Sequence, residues 1–408
     1  MNHSDPASLA LIACPGGEVF ADEVVLHLRR QYQRRAAKIL ADLSEKYGLD
    51  SAGVLSRINF INQALSCGQA VSDYFEAHPA IKVATRFTFF PNGEIKAEIE
   101  EPVRGRDVYI IQDPENRYPV AFNEGSVTKS LSVNDHLMTI IVTVDAARQA
   151  GAERITVVTP VYPYSRQHRK KGREGVTASR IGSILEALGV HRLITLDIHS
   201  MEIGNSFNCM LLENLHASYQ ITRHLAGIQE IKEGDFVVVS PDTGAVDRNK
   251  FYATAFKRPL ALLYKERDYS RVTKDALDNN IANIRLLGDV RGKTVFMADD
   301  MIGTGGTLLE AMRFLREQGA KKVICAVSLP LFSGRAIEHF DNAYAGGLFY
   351  RIIGTNAVYQ EELLRREWYV SVNITKLFAR TIFRLHQDQS LSSLLDNRAI
   401  IERLLAEA

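Results

Sequence analysis

The run VFMADDMIGTGGT, Val295 to Thr307, constrains the fold more than any other stretch of the chain. It begins as an unbroken apolar segment, the pattern of a strand buried on both faces of a parallel sheet. It breaks at two adjacent carboxylates, Asp299 and Asp300, and then passes through a Gly and Thr cluster into the helical pattern LLEAMRFLREQG. A strand, a tight turn and a helix N-terminus follow in that order. At such a turn backbone N–H groups point outward, Gly305 and Gly306 let an anion approach the main chain, and Thr304 and Thr307 add hydroxyl donors, so a phosphate is the natural guest. The carboxylates ahead of the loop repel phosphate. They suit a pair of vicinal hydroxyls or a metal ion, so the stretch describes a sugar phosphate lying over a strand end. The same residue types also make ordinary helix caps; the acids preceding the glycines, and the missing Lys after them, distinguish the run from a Walker A loop.

The chain has 408 residues, more than one core usually supports, so two domains are expected. A formal net charge of +1 offers no general attraction for nucleic acid or for a membrane, and a phosphorylated substrate has to be drawn by local charge. Cys14, Cys67, Cys209 and Cys325 lack paired spacing, which points to buried thiols in a reducing compartment. With no basic leader and no run of bilayer-spanning length, the expected location is the cytoplasm.

In order along the chain, Ser8 to Cys14 reads as a first buried strand and Pro15–Gly17 as its turn into a helix near Glu18. The helical pattern continues to about His78, broken at Gly48 to Gly53 into an antiparallel pair. Arg29, Arg30, Arg34, Arg35 and Lys38 fall on this pair and read as a solvated helix face rather than a polyanion site, because acids and apolar residues are interleaved with them. IKVATRFTFF, NGE and IKAEIEE then read as a hairpin, and Asn134 with Asp135 as the cap of a helix. Strands near Ile155–Pro160 and Leu193–Ile198 flank a helix around Ile181–Leu188, a rhythm that calls for a parallel sheet. It resumes at Phe236–Ser240, Leu260–Tyr264, Thr294–Ala298 and Val323–Leu329. The polar stretch to about Asn283 carries no strong strand pattern and reads as a mobile flap.

Chemistry-bearing residues gather just after these strands, where open α/β sheets bind ligands. YPYSRQHRKKGRE concentrates Arg166, Arg169, Lys170, Lys171 and Arg173. TLDIHS places His199 at a strand end, and SPDTGAVDR places Asp242 at another, a pair able to hold Mg²⁺ directly or through water between phosphates. In LLYKERDYS, Lys265 and Arg267 stand two residues apart on one side of an extended chain, where both cations could clamp a phosphoryl group.

FPNGEIKAEIEEPVRGRDVYIIQ, NDHLMTIIVTVDAARQAGAERITVV, PYSRQ, TLDIHS, VVVSPDTGAVDR, YKER, ADDMIGTGGT and FSGRAIE occur here in one order. In that order the chain resembles the ribose-phosphate pyrophosphokinase family. The resemblance implies an α/β chain of two similar phosphoribosyltransferase-type domains with mostly parallel sheets flanked by helices. They would span residues 1–218, with a helical insertion at about 30–78, and 219–385, followed by a helical tail at 386–408. It implies ATP and ribose 5-phosphate as substrates, with transfer of a pyrophosphoryl group to the anomeric hydroxyl, and Mg²⁺ as cofactor. Phe90, Asn92 and Glu94 would meet the adenine from a neighbouring subunit, making the protein a homo-oligomer. Arg166 and Gln167 would contact ATP, His199 and Asp242 would position Mg²⁺, and Lys265 and Arg267 would be catalytic. Asp299 and Asp300 would take the ribose hydroxyls, and Thr304, Gly305, Gly306 and Thr307 the 5-phosphate.

The chain departs from the family pattern at Gly303, where many members carry Asp, at His168 in place of Asp, at Asp247 in place of Lys, and in the helical insertion. Ser390 and Ser392 match the family's regulatory phosphate site, whereas Pro102, Met201 and Gly204 do not. A non-catalytic regulatory relative and a phosphoribosyltransferase are the alternatives; AMP formation from ATP and ribose 5-phosphate separates them from a synthetase.

Overall fold

The computed structural model describes residues 8–64, 81–170, 172–232, 235–267, 281–396 and 398–407. The first half runs β1 (Leu9–Ala13), α1 (Glu18–Tyr47), α2 (Ser51–Ala64), then a hairpin of β2 (Thr85–Phe89) and β3 (Ile95–Ile99). It continues through β4 (Asp107–Ile111), the small hairpin β5 (Val120–Phe122) and β6 (Val127–Lys129), α3 (Val133–Gln149), β7 (Arg154–Val158), α4 (Thr177–Ala187), β8 (Arg192–Leu196) and β9 (Leu211–Leu215). The second half runs α5 (Ser218–Leu225), β10 (Phe236–Ser240), α6 (Val246–Ala255), β11 (Leu260–Arg267), β12 (Ile281–Leu287), β13 (Thr294–Ile302), α7 (Gly306–Glu317) and β14 (Lys322–Pro330). It closes with α8 (Ala336–Ala345), β15 (Arg351–Thr355), β16 (Tyr369–Val372), α9 (Thr375–His386) and α10 (Arg398–Glu407).

Two large sheets result. The first is ordered β1-β4-β7-β8-β9 and is parallel throughout. The second is ordered β12-β11-β10-β13-β14-β15-β16 and is parallel except for the β11–β12 pair. In the second sheet the chain builds outward from β10 to one side, then returns to place β13 on β10's other side. That reversal opens a crevice beyond the carboxyl ends of β10 and β13.

Several expected boundaries move. The N-cap of α3 is Ser132, whose side chain accepts from the Asp135 N–H in a capping box, rather than Asn134 or Asp135. β12 occupies Ile281–Leu287, the end of the stretch read as a flap; residues 268–280 lie outside the described residues, as do 65–80 with Cys67. Of the other thiols, Cys14 and Cys325 are buried and Cys209 is exposed. Among the described residues no helix is long and apolar enough to cross a membrane.

One apolar core spans both halves: Leu11, Tyr109, Val158 and Leu196 of the first sheet share it with Phe236, Phe296, Ile353 and Phe378. A clasp of α1 on α9 completes it. Phe20 meets Phe378 edge-on with centroids 5.1 Å apart, and Tyr32 meets Phe383 at 4.8 Å. Polar contacts reinforce the clasp: Glu23 Oε2 accepts from Asn373 Nδ2 at 2.6 Å and from the Thr375 hydroxyl at 3.0 Å. Under it, the buried Asp107 carboxylate receives Arg154 at 2.8 Å and lies 3.0 Å from His386 Nδ1. The clasp therefore ties the end of the chain to its beginning. Phe378→Ala, which empties a fully buried site between the halves, is expected to cost about 3–5 kcal/mol, read as a lower urea midpoint for the whole chain.

Candidate active site at the parting of two strands

β10 pairs with β13 only as far as Val238 opposite Phe296, whereas β14 accompanies β13 to Ile302 opposite Pro330. Beyond Phe296 one edge of β13 has therefore lost its strand partner. The side chain of Asn249, fully buried on α6, takes over. Its Oδ1 accepts from the Ala298 N–H at 2.8 Å and its Nδ2 donates to the Ala298 carbonyl at 2.8 Å, the two bonds a neighbouring strand would have supplied. Nothing in the local pattern of VDRNKF marks Asn249 for this role; the signal is its position in three dimensions opposite a strand that has parted from its neighbour.

Asp299 and Asp300 follow directly in the opened crevice. The Asp300 N–H donates to Asp299 Oδ1 at 2.9 Å, and the Met301 N–H donates to Asp300 Oδ1 at 2.8 Å. Asp300 Oδ2 lies 2.5 Å from His199 Nδ1, which joins the end of β8 in the first sheet to the end of β13 in the second. Burial alone would push Asp300 up, but the His199 contact and the Arg248 charge hold it below the usual carboxylate range. Asp299 goes the other way: burial, then the charges of Asp300 and Asp242, push it up. The adjacent carboxyls thus separate into one ionised group and one that resists ionisation.

Arg248 sits between the halves, with Nη1 3.3 Å from Asp197 Oδ1. Burial works against its charge, and Asp197, Asp300 and Asp299 more than offset that effect. Asp197 is itself saturated: His216 Nδ1 lies 2.8 Å from Oδ1, the Ala217 N–H donates to Oδ2 at 3.1 Å and the Ser328 hydroxyl donates to Oδ2 at 2.5 Å. Its backbone has φ of 41°, a left-handed conformation that costs an Asp about 1–3 kcal/mol and aims the carboxylate at those donors. Asp197, Arg248, His216 and Ser328 carry no sugar-phosphate signature, so a motif search passes over them.

Of the remaining expected residues, Asp242 lies at the turn after β10, accepts from the Ala245 N–H at 2.9 Å and adds its charge to the field on Asp299. Arg166 reaches the phosphate-type loop: a methyl group at Gly303 would meet its Nη1 at 3.3 Å, so the absence of a side chain there leaves room for the guanidinium. His168 packs edge-on against His199, centroids 5.0 Å apart. Gln167, beside it, is exposed. Gly305 caps α7 with φ of 78°, and a Cβ there would lie 2.3 Å from the Phe340 ring, so only glycine fits. α7 has no side-chain cap, and exposed Thr304 stands just ahead of its first residues, Gly306 and Thr307.

One expected group, on the β2–β3 hairpin, is not brought into this cluster. Phe90, Asn92 and Glu94 occupy the exposed tip of the β2–β3 hairpin, and their hydrogen bonds stay within the turn, as from the Phe90 N–H to the Glu94 carbonyl at 2.9 Å. Lys265 and Arg267 lie on the backbone of β11, where the register against β12 shifts between Glu266 and Arg267. The side chains of both lie outside the described residues. Among the described residues no group of three or more His, Cys, Asp or Glu side chains is gathered closely enough to cage a metal.

Comparison with known proteins matches the chain in two blocks. Residues 60–189 fit the family model described as the N-terminal domain of ribose phosphate pyrophosphokinase, and residues 210–359 fit the phosphoribosyl transferase domain. The ribose-phosphate pyrophosphokinase of Synechococcus elongatus is 34% identical over 336 residues, 82% of this chain and 91% of that one. That of Staphylococcus epidermidis is 33% identical over 308 residues, 75% of this chain and 87% of its own. Among solved structures, the phosphoribosylpyrophosphate synthetase of Mycobacterium smegmatis aligns with a TM-score of 0.67 at 26% identity, covering 93% of this chain and 99% of that one.

Asp197→Asn is expected to destabilise the chain by about 1.5–3 kcal/mol at neutral pH, because half-buried Arg248 loses its counter-charge, a hydrogen-bonded carboxylate. The folded pKa of Asp197 lies below its unfolded value, so its contribution is present above about pH 3.9 and is lost as pH falls through the lowered value. Urea midpoints of the two proteins should therefore converge on acidification; a gap that widens would contradict the ion pair.

Proposed function

This chain belongs to the ribose-phosphate pyrophosphokinase family, and on that premise we propose how its strand ends divide the work. The enzyme transfers the pyrophosphoryl group of ATP to the anomeric hydroxyl of ribose 5-phosphate, giving 5-phosphoribosyl 1-pyrophosphate and AMP. Its two phosphoribosyltransferase-type domains are taken as residues 1–218 and 219–385, with 386–408 as a tail.

The sugar phosphate lies on the C-terminal domain. The N–H groups at the start of α7 and the hydroxyls of Thr304 and Thr307 hold the 5-phosphate, while Asp299 and Asp300 accept from the ribose hydroxyls. Asp299, pushed up by burial and like charge, is the carboxyl best able to share a proton with a hydroxyl partner. ATP lies opposite. Arg166 and Gln167 take its phosphates from the N-terminal domain, and Phe90, Asn92 and Glu94 take the adenine ring of a neighbouring protomer's nucleotide, which makes the enzyme a homo-oligomer. The observation that carries the arrangement is the His199–Asp300 contact: it brings the nucleotide side and the sugar side of the crevice to within one hydrogen bond.

The donor set fits Mg²⁺ held chiefly by substrate phosphates. Asp242 keeps one oxygen clear of its Ala245 contact, and the crowding of Asp242, Asp299 and Asp300 is a repulsion that a divalent cation relieves. His199 and Asp242 would hold the ion, which would supply neutralisation of phosphate charge. The protein's own contribution is placement: the anomeric oxygen attacks the β-phosphorus in line with the departing AMP, and Lys265 and Arg267 balance the charge that moves onto the transferred group.

Purified chain incubated with ATP, Mg²⁺ and ribose 5-phosphate is expected to release AMP in step with 5-phosphoribosyl 1-pyrophosphate; no AMP would leave the regulatory-relative reading standing. Lys265→Ala should lower kcat by about 10²–10³-fold while ribose 5-phosphate affinity changes little, because the cation acts mainly on transition-state charge. Sedimentation of the active enzyme should give at least a dimer; an active monomer would remove the hairpin from the nucleotide site.

A further inference from the structure

The basic stripe of α1 does not end in solvent. A groove of about 600 Å³ runs between α1 and α9, and His27, Arg30, Arg34, Arg35 and Lys38 line one wall at helical spacing. Lys376 and Arg380, one turn apart on α9, line the other, and among the described residues no carboxylate lines the groove. The volume is within the range of small-ligand sites, about 300–1,000 Å³.

Among the described residues, none of Arg30, Arg34, Arg35, Lys38, Lys376 and Arg380 forms an ion pair. The acids of α1 nearest the groove's N-terminal end are engaged elsewhere: Asp22 pairs with Lys82 at 2.5 Å, and Glu23 receives Asn373 and Thr375. The His27 pKa is pushed down by partial burial and then by the charges of Arg30 and Lys376, the mark of a field that already disfavours one more cation. Held in a concave site by two helices locked through Phe20–Phe378 and Tyr32–Phe383, like charges cannot simply spread apart. A chain with net charge of only +1 has no general excess of cations to explain such a concentration. Arginines predominate, and their planar forks match phosphate oxygens in pairs.

We propose that the groove between α1 and α9 is a second anion site, separate from the catalytic crevice, that binds a polyphosphate chain, either free inorganic polyphosphate or the tail of a nucleotide. Most of its α1 wall, from Arg30 to Lys38, belongs to the helical insertion, and neither Ser390 nor Ser392 lines it. Phe383, at its floor and already under Arg35 with the guanidinium carbon 5.8 Å from the ring centroid, supplies an apolar contact beside the charge. Occupancy bridges the insertion to the C-terminal helix, so ligand binding is coupled to the stability of the clasp.

The test uses the full chain and inorganic tripolyphosphate, titrated by calorimetry without Mg²⁺. Wild type should show a saturable site whose affinity falls by about tenfold or more in Arg34→Gln/Arg380→Gln, with AMP production from saturating substrates unchanged. Lys38→Gln alone, at the exposed end of the stripe, should weaken it severalfold and serves if the double variant misfolds. Tripolyphosphate should also raise the thermal midpoint of wild type more than that of the variants. ATP competing for the site would identify a nucleotide tail, and its failure to compete would identify free polyphosphate. Identical isotherms in wild type and variants would overturn the proposal. So would orthophosphate binding as tightly as tripolyphosphate, or a single strand of about ten nucleotides binding more tightly than either at equal phosphate concentration. Loss of the groove site with synthesis intact, or the reverse, separates this proposal from the catalytic one.

Discussion

Everything at the catalytic end of the molecule depends on β10 and β13 ceasing to be neighbours after Phe296. A parallel sheet whose connections reverse direction has to part at that point, and the parting leaves main-chain groups that must find other partners. Two of them, the N–H and carbonyl of Ala298, are satisfied by the Asn249 amide. The rest of the gap is where two carboxylates, the start of α7 and the turn bearing Asp242 come together. A continuous ladder would have sealed β13 as tightly on this side as β14 seals it on the other, through to Pro330.

A crevice with that much negative charge needs cations placed to match it. Arg248 comes from the helix that buttresses β13, and Asp197 from the other half of the chain, so the pair acts across the junction as well as on the site. The same junction carries His199 to Asp300. Its hydrogen-bonding capacity is saturated on the Asp197 side, where a left-handed main chain aims the carboxylate at three donors besides Arg248. The adjacent carboxyls at Asp299 and Asp300 are then shifted in opposite directions, because only Asp300 has a hydrogen-bonding partner, His199, from the first half. The crevice and the packing between the halves therefore share residues, and the junction cannot loosen without disturbing the charge pattern at the end of β13.

At the far side, α1 and α9 close the shared core with aromatic contacts and leave a cationic channel on their outer flanks. Burial accounts for the inner faces of both helices. It does not account for the outer ones, where charge of one sign is gathered into a concavity and left without carboxylates. This contrast separates the groove from the hairpin around Arg86, whose guanidinium is surrounded by Glu98, Glu100 and Glu124.

Much of the architecture was legible from local pattern. Apolar runs at Phe236–Ser240 and Thr294–Ala298 could only be buried strands, and the acids and glycines after the latter announced a strand end, a turn and a ligand. His199, Asp242 and Arg166 were found because each follows such a strand, and position in a parallel sheet carries chemical meaning. Asn249, Arg248 and Ser328 escaped because a side chain that repairs an edge or balances a buried charge needs only to be in the right place, and many residues along a chain could serve. The arginines of α1 show the same limit from the other direction: by sequence they form a solvated face, and only the packing of α9 beside them brings Lys376 and Arg380 across a groove. The sequence by itself determined the alternation of strands and helices and the kind of ligand the loops can hold, since both follow from contacts within a few residues. Which charges meet across the junction, which carboxyl ionises and where cations are left without partners were decided by the tertiary structure, because those energies depend on distance and burial between groups hundreds of residues apart.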